Sequence, residues 1–199
     1  MTKNRNMYYF DMNEDNVSYK IARTLSSLLD LYFSDSKEIV ILCIGSDRVT
    51  GDSLGPLIGY KLQNTHCYNP KLLRRTARKK MHIYGTLDFP VHAMNLESKI
   101  KEINFLHPDI PIIAIDASLG NNKYLGYITV GVGSLHPGTG VHKQLPSIGD
   151  FYITGIVGSA GAFEQMTLQT TRLAIVMKLA DTVATGLSTL FSPISGTLQ

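Results

Sequence analysis

With 199 residues, 44% of them hydrophobic, the chain is large enough for one domain with a substantial core and short for two. A net charge of +3 falls well below the concentrated positive charge of a dedicated nucleic-acid binder, so no direct nucleic-acid partner is expected. Two cysteines, Cys43 and Cys67, exclude a disulfide scaffold and fit a reducing, cytoplasmic setting.

The first 16 residues mix Lys3, Arg5, Asp11, Glu14 and Asp15 with Tyr8, Tyr9 and Phe10, and contain no apolar core of signal-peptide length. No uninterrupted apolar run of about 18 residues follows anywhere, so no membrane span is expected. Asn16 to Phe33 places Val17, Ile21, Leu25, Leu28, Leu29 and Tyr32 at helical spacing, which predicts an amphipathic helix. Ile39 to Ile44 is aliphatic without polar alternation, the pattern of a strand buried on both faces of a parallel sheet, so helices must cover both sides. After the turn from Gly45 to Asp52, Leu54, Leu57, Ile58 and Leu62 predict a helix over Ser53 to Leu62, with Pro56 in an early turn where its missing N–H costs little.

Pro70 to Lys80 holds Arg74, Arg75, Arg78, Lys79 and Lys80, read either as a solvated face or as recognition of an acidic partner. Met81 to Tyr84 is a short strand. Leu96, Ile100, Ile103 and Leu106 predict a helix that ends before Pro108. Ile110 to Ile115 is another apolar strand, ending at Asp116. Tyr124 to Gly133 has strand composition and loosens into a glycine-rich loop through Gly140 that can approach a ligand closely. Asp150 to Val157 predicts a further strand, and Ala160 to Leu190 one long helix, broken near Gly186. The alternation predicts a single α/β domain over residues 1–199, a three-layer sandwich with a mostly parallel central sheet flanked by helices.

Two strands thus finish in an aspartate. Ligand crevices of open α/β sheets lie beyond the carboxyl ends of the strands, so Asp52 and Asp116 share the functional edge if their strands are neighbours. Each has a structural reading as well: Asp52 as the N-cap of the following helix, Asp116 as a turn aspartate bonded to nearby backbone. Two carboxylates brought close do not both ionise easily, so one keeps a proton and the pair can act as acid and base on a shared water; a divalent metal is the other way to relieve the repulsion. His136, in a His-Pro-Gly turn, is a candidate general acid or nitrogen ligand, or a plain surface histidine. His92 is a weaker candidate at a predicted helix start, and His66, His82, His107 and His142 have no patterned company. Ser46 and Asp47 in the first turn, with His136 and Gly138 in the loop, are the candidates for substrate contact.

A phosphate-binding Gly-x-x-x-x-Gly-Lys-Ser/Thr loop, a Gly-x-Ser-x-Gly elbow and a Gly-x-Gly-x-x-Gly fingerprint are all absent from the sequence. Neither cysteine has a nucleophile context, which leaves the aspartates.

Gly45-Ser46-Asp47-Arg48-Val49-Thr50-Gly51-Asp52-Ser53-Leu54-Gly55-Pro56 resembles the first catalytic segment of the spore germination protease family. Ile113-Ala114-Ile115-Asp116-Ala117 resembles its second, and His136-Pro137-Gly138-Thr139-Gly140-Val141 a third block, in the same order. Tyr84-Gly85-Thr86-Leu87 with Pro90-Val91-His92-Ala93 and the short length look most like a compact sporulation relative of that family. The resemblance spans roughly Glu38 to Leu179.

The resemblance implies a phosphorylase/hydrolase-like sheet carrying Asp52 and Asp116 as paired catalytic aspartates. It further implies a sporulation-associated endopeptidase of the cytoplasm or forespore, whose substrates are small acid-soluble spore proteins or another spore protein. The fold is shared with hydrogenase maturation endopeptidases, which bind nickel. No cofactor is expected on the first reading; on the second, Asp52, Asp116 and His136 would hold nickel or another divalent ion. The chain is much shorter than the germination protease, no removable propeptide is identifiable, and Gly-Asp-Ser-Leu-Gly-Pro replaces the acidic pair usual in the maturation enzymes. A non-catalytic sporulation protein that keeps the old site as a binding or assembly surface, as a homo-oligomer or with another protein, is the reading from a different class.

Overall fold

The computed structural model describes residues 7–64, 79–137 and 145–193. Seven strands form one sheet in the order β1-β5-β6-β4-β2-β3-β7. In chain order the strands are β1 (Met7–Asp11), β2 (Glu38–Cys43), β3 (Lys79–Tyr84), β4 (Ile112–Gly120), β5 (Tyr127–Val132), β6 (Phe151–Ser159) and β7 (Phe191–Pro193). The helices are α1 (Val17–Tyr32), α2 (Leu54–Asn64), α3 (Leu96–Leu106), α4 (Glu164–Thr170) and α5 (Leu173–Leu190). The neighbours from β6 to β7 run parallel, while β5 is antiparallel to both β6 and β1.

The unbroken apolar run of β2 has the cause expected of it. Ile39, Ile41 and Cys43 enter one core with Ile21, Leu25 and Leu29 of α1, Ile58 and Leu62 of α2, and Val176, Leu179 and Val183 of α5. Val40, Leu42 and Ile44 enter a second, smaller core with Leu96 and Ile103 of α3. Strand side chains alternate between faces, so every position from Ile39 to Cys43 must be apolar, and the result is the expected three-layer α/β sandwich.

Four features depart from the sequence reading. Tyr8 to Asp11, read as part of a mixed-charge N-terminus, form edge strand β1, paired with Tyr127 to Val130. Asp116 does not end its strand: β4 runs on to Gly120 because β6 continues to pair with it. The long C-terminal helix is broken not at Gly186 but at Thr171, whose backbone is extended (φ −57°, ψ 136°), giving α4 and α5. Gly186 lies within α5, where a Cβ would come 2.9 Å from the Ser18 carbonyl of α1, so the glycine permits close helix packing. After α5 the chain adds β7 beside β3.

By length and composition α5 is apolar enough to cross a membrane, with a mean hydropathy of 1.4. Its Val176, Leu179, Ala180, Val183, Ala184 and Leu187 are instead spent on the larger core. The basic residues up to Arg78, together with His66, Cys67, Gly138 and His142, lie outside the described residues.

Candidate functional site

The chain leaves β2 and β4 in opposite directions. From β2 it proceeds through α2 to β3, and from β4 it proceeds to β5 and β6 on the other side. Adjacent parallel strands whose continuations diverge leave a crevice at their carboxyl ends. The last rung between them pairs Cys43 with Ile115, and the N–H of Ile44 donates to the Ile115 carbonyl at 2.7 Å. Asp116 is the next residue. It keeps Thr154 of β6 as its neighbour but has passed the end of β2.

The turn after β2 brings the second carboxylate back over this gap. Gly45 has φ +137°, and a Cβ there would collide with the Asp52 carbonyl, so the turn needs a glycine. The N–H of Ser46 donates to that carbonyl at 3.1 Å, and the N–H of Asp52 donates to Val49 at 3.0 Å. Asp52 then lies inside a short 3₁₀ turn, Gly51–Ser53, that feeds α2. It is not the expected helix cap: no side-chain cap bond is made at Thr50, and the Asp52 carboxylate takes its hydrogen bond from the Ser46 backbone N–H behind it.

A cleft of about 470 Å³ opens between these elements. Asp52, Asp116, Ser46, Arg48, His92 and His136 line it, and Leu119, Leu135, Leu145 and Leu168 give it apolar walls. Burial, then the charge of Asp52, hold the Asp116 carboxyl well above the ordinary carboxylate range, although Oδ1 accepts a 2.8 Å bond from the Ala117 N–H. Burial also raises Asp52, opposed by the Ser46 N–H and by the charge of His92. The two carboxyls are therefore electrostatically coupled and both inclined to keep a proton, Asp116 the more strongly.

Four of the residues singled out from the sequence, Asp52, Asp116, Ser46 and His136, meet in this cleft. Asp47 is exposed and does not line it. The cleft also takes in His92, Thr154, Glu164 and Gln165. Sequence spacing ranked His92 low because what delivers it is tertiary: Val91 forms a parallel bridge with Ile44, and the Gly45 N–H donates to the Val91 carbonyl at 2.8 Å. Glu164 and Gln165 arrive with α4, which the reading of one long helix broken near Gly186 hid. The nickel arrangement implied by the maturation-enzyme resemblance does not fit the donors: among the described residues no three His, Cys, Asp or Glu side chains come together as a metal-holding group.

Fold and site together define a three-layer α/β protein with a carboxylate-bearing cleft at the switch point of its sheet. The chain belongs to the family described as protein of unknown function DUF1256, whose model matches residues 9–186. Over 152 residues it is 49% identical to the uncharacterized protein YyaC of Bacillus subtilis (strain 168), spanning 76% of this chain and 69% of that protein. YyaC is the compact relative that the Tyr84 to Ala93 stretch resembles. The crystal structure of a [NiFe] hydrogenase maturation protease, HycI from Thermococcus kodakarensis KOD1, superposes with a TM-score of 0.41 at 21% identity, covering 81% of this chain and 99% of that one.

Proposed function

We propose that the protein is an endopeptidase that uses Asp52 and Asp116 as a coupled base and acid. The observation that carries this reading is the pair itself: a buried carboxyl whose proton is held by burial and by the charge of a second carboxylate in the same cleft. Pairs of titratable groups with proton affinities pushed apart are the usual basis of acid and base roles at one pH.

In the proposed cycle, Asp116 begins protonated and Asp52 ionised. Asp52 takes a proton from water as the water oxygen attacks the peptide carbonyl carbon, and Asp116 gives its proton to the carbonyl oxygen. On collapse the C–N bond breaks, Asp52 passes its proton to the leaving nitrogen, and the oxygen returns a proton to Asp116. Atoms and protons balance without a further reactant. The leucines lining the cleft suit an apolar stretch of extended chain, with Ser46 and His136 as candidate contacts to its backbone.

The resemblance of three ordered sequence blocks to the germination protease family makes small acid-soluble spore proteins the first substrates to try, and the forespore cytoplasm the proposed setting. Purified full-length protein mixed with those proteins should release defined fragments, and Asp52→Asn and Asp116→Asn should each abolish them. Intact substrate at stoichiometric enzyme, with other spore proteins and casein equally untouched, would sink the peptidase reading.

A further inference from the structure

The sheet ends at β1, which pairs with β5 and, among the described residues, with no strand on its other side. The Met12 N–H donates to the Gly126 carbonyl at 3.2 Å and so sets the phase of the ladder. Bonded and non-bonded pairs alternate along it: Tyr8 and Phe10 exchange bonds with Val130 and Ile128, while the N–H and carbonyl of Tyr9 point away from the sheet. In the same outward row the Asp11 carbonyl accepts from the Glu14 N–H at 3.1 Å, which ends the free edge there. Helix α1 runs alongside. Its Ile21, Leu25 and Leu28 enter the larger core, and the adjoining stripe of Lys20, Arg23, Thr24 and Ser27 lines, with Tyr8 and Tyr19, a groove of about 380 Å³ that shares no residue with the Asp52 and Asp116 cleft. Arg23 pairs with no carboxylate among the described residues. Lys20 lies 2.6 Å from Glu14, but both side chains are half-exposed, so that pair is weakly held and readily exchanged.

We propose that the open edge of β1 and this cationic groove together form a docking site for an extended acidic segment of a partner polypeptide, which adds to the sheet as a further strand. The outward N–H and carbonyl of Tyr9 supply main-chain bonds, and alternate side chains of the added strand point to one face, beneath the α1 stripe. A carboxylate there meets Arg23 and Lys20, with the Thr24, Ser27 and tyrosine hydroxyls as further donors. The site therefore reads acids at every second position rather than net negative charge. A second copy of this chain does not match it: its β1 would offer Tyr8 and Phe10 on that face, both packed on its own core, and would set one cationic stripe against another. The inference goes beyond the peptidase reading and uses none of the cleft residues.

The test is binding of short capped peptides to the full chain, followed by amide NMR at low salt. One peptide alternates glutamate with threonine, one holds the same residues with the glutamates in a block, and one alternates lysine with threonine. The alternating glutamate peptide should bind most tightly, move the amide signals of β1 and α1, and protect the Tyr9 N–H from exchange. Arg23→Glu, at an exposed helix position, should weaken it by about tenfold. Tyr9→Pro removes the outward donor and leaves the bonds between β1 and β5 in place; it should weaken binding by about fivefold, an effect that Tyr9→Ala does not reproduce. Equal affinity for the block or lysine peptides, unchanged affinity in Arg23→Glu, or signals that move only around the cleft would overturn the proposal. So would a dimer in sedimentation that Tyr9→Pro dissolves, since the edge would then belong to a second copy. Repeating the binding on Asp116→Asn keeps the result independent of whether the protein cuts peptides.

Discussion

The charge of Asp52 falls on Asp116, one residue past the point where β2 stops covering β4, and there it adds to burial in holding the Asp116 proton. Removing that charge with Asp52→Asn should lower the Asp116 midpoint without restoring an ordinary value, because burial, the larger cause, remains. Carboxyl NMR of the variant reads this directly. A midpoint unchanged by the substitution would mean that the two groups are not coupled.

The same shift has a consequence for stability. A carboxyl whose folded proton affinity is raised binds more protons in the native than in the unfolded chain, so its contribution is full below the ordinary carboxylate range and is lost as pH rises through the folded value. Asp116→Asn, neutral at every pH, should therefore melt a few degrees above wild type at pH 7 to 8 and lose that advantage towards pH 4. Thermal melts across this range decide it; a variant less stable than wild type at pH 8 would contradict the sign.

A second titrating cluster lies on the α3 side of the sheet, and its dependence runs the other way. The rings of His82 and His107 stand 4.0 Å apart, with His82 Nε2 2.6 Å from Glu38 Oε2 and the Tyr84 hydroxyl 2.8 Å from His107 Nε2. Burial first, then the charge of His82, lower the proton affinity of His107. A base with a depressed folded value stabilises the fold above its ordinary value, near 6.5, and loses that contribution as pH falls through the folded one. Glu38, lowered chiefly by its hydrogen bond from His82, loses its contribution on acidification as well, below about 4.5. Urea midpoints should fall between pH 7 and pH 5, and His107→Gln should flatten that slope. An equally steep slope in the variant would assign the dependence elsewhere.

How much of this was legible in the sequence depends on whether the information was local. The runs that became β2 and α1 announce themselves, because a strand buried on two faces and a helix buried on one leave different periods. Strand β1 does not: its Tyr8, Tyr9 and Phe10 sit among charges, and only pairing with β5 makes them a strand. The α4/α5 break is equally quiet, since Thr171 and Arg172 carry no glycine or proline signal. The aspartates were legible as ends of apolar runs. Their coupling, and the arrival of His92, depend on strand order and on the Ile44–Val91 bridge, which no single segment encodes.

Gly55 sits where α2 crosses the end of β2, and a Cβ there would collide with the Ile44 carbonyl. Neither partner is the flexible end of a side chain, so the backbone itself must move. Gly55→Ala should cost on the order of 3 kcal/mol in urea unfolding, despite alanine's better helix propensity, and should displace the turn that carries Asp52. A neutral or stabilising result would show that α2 can lift from the strand without loss.

One acid sits within β4 and another braces its start, and the two should separate cleanly by experiment. At the amino end, Asp150 Oδ2 accepts from the Ile112 N–H at 2.9 Å, while the Asp150 N–H donates to the Ile112 carbonyl at 2.9 Å. Ile112 is buried, so losing the carboxylate strands a backbone donor at the start of the strand. Asp150→Ala should cost about 1 to 2 kcal/mol in stability, whereas Asp150→Asn, which keeps an acceptor oxygen, should cost less. Because Asp116 lies four residues further along β4, both variants should leave the Asp52 and Asp116 midpoints unmoved once folded. Stability loss with unchanged carboxyl titrations identifies Asp150 as a brace on the sheet; a shift in either midpoint would mean that the start of β4 sets the geometry of the cleft.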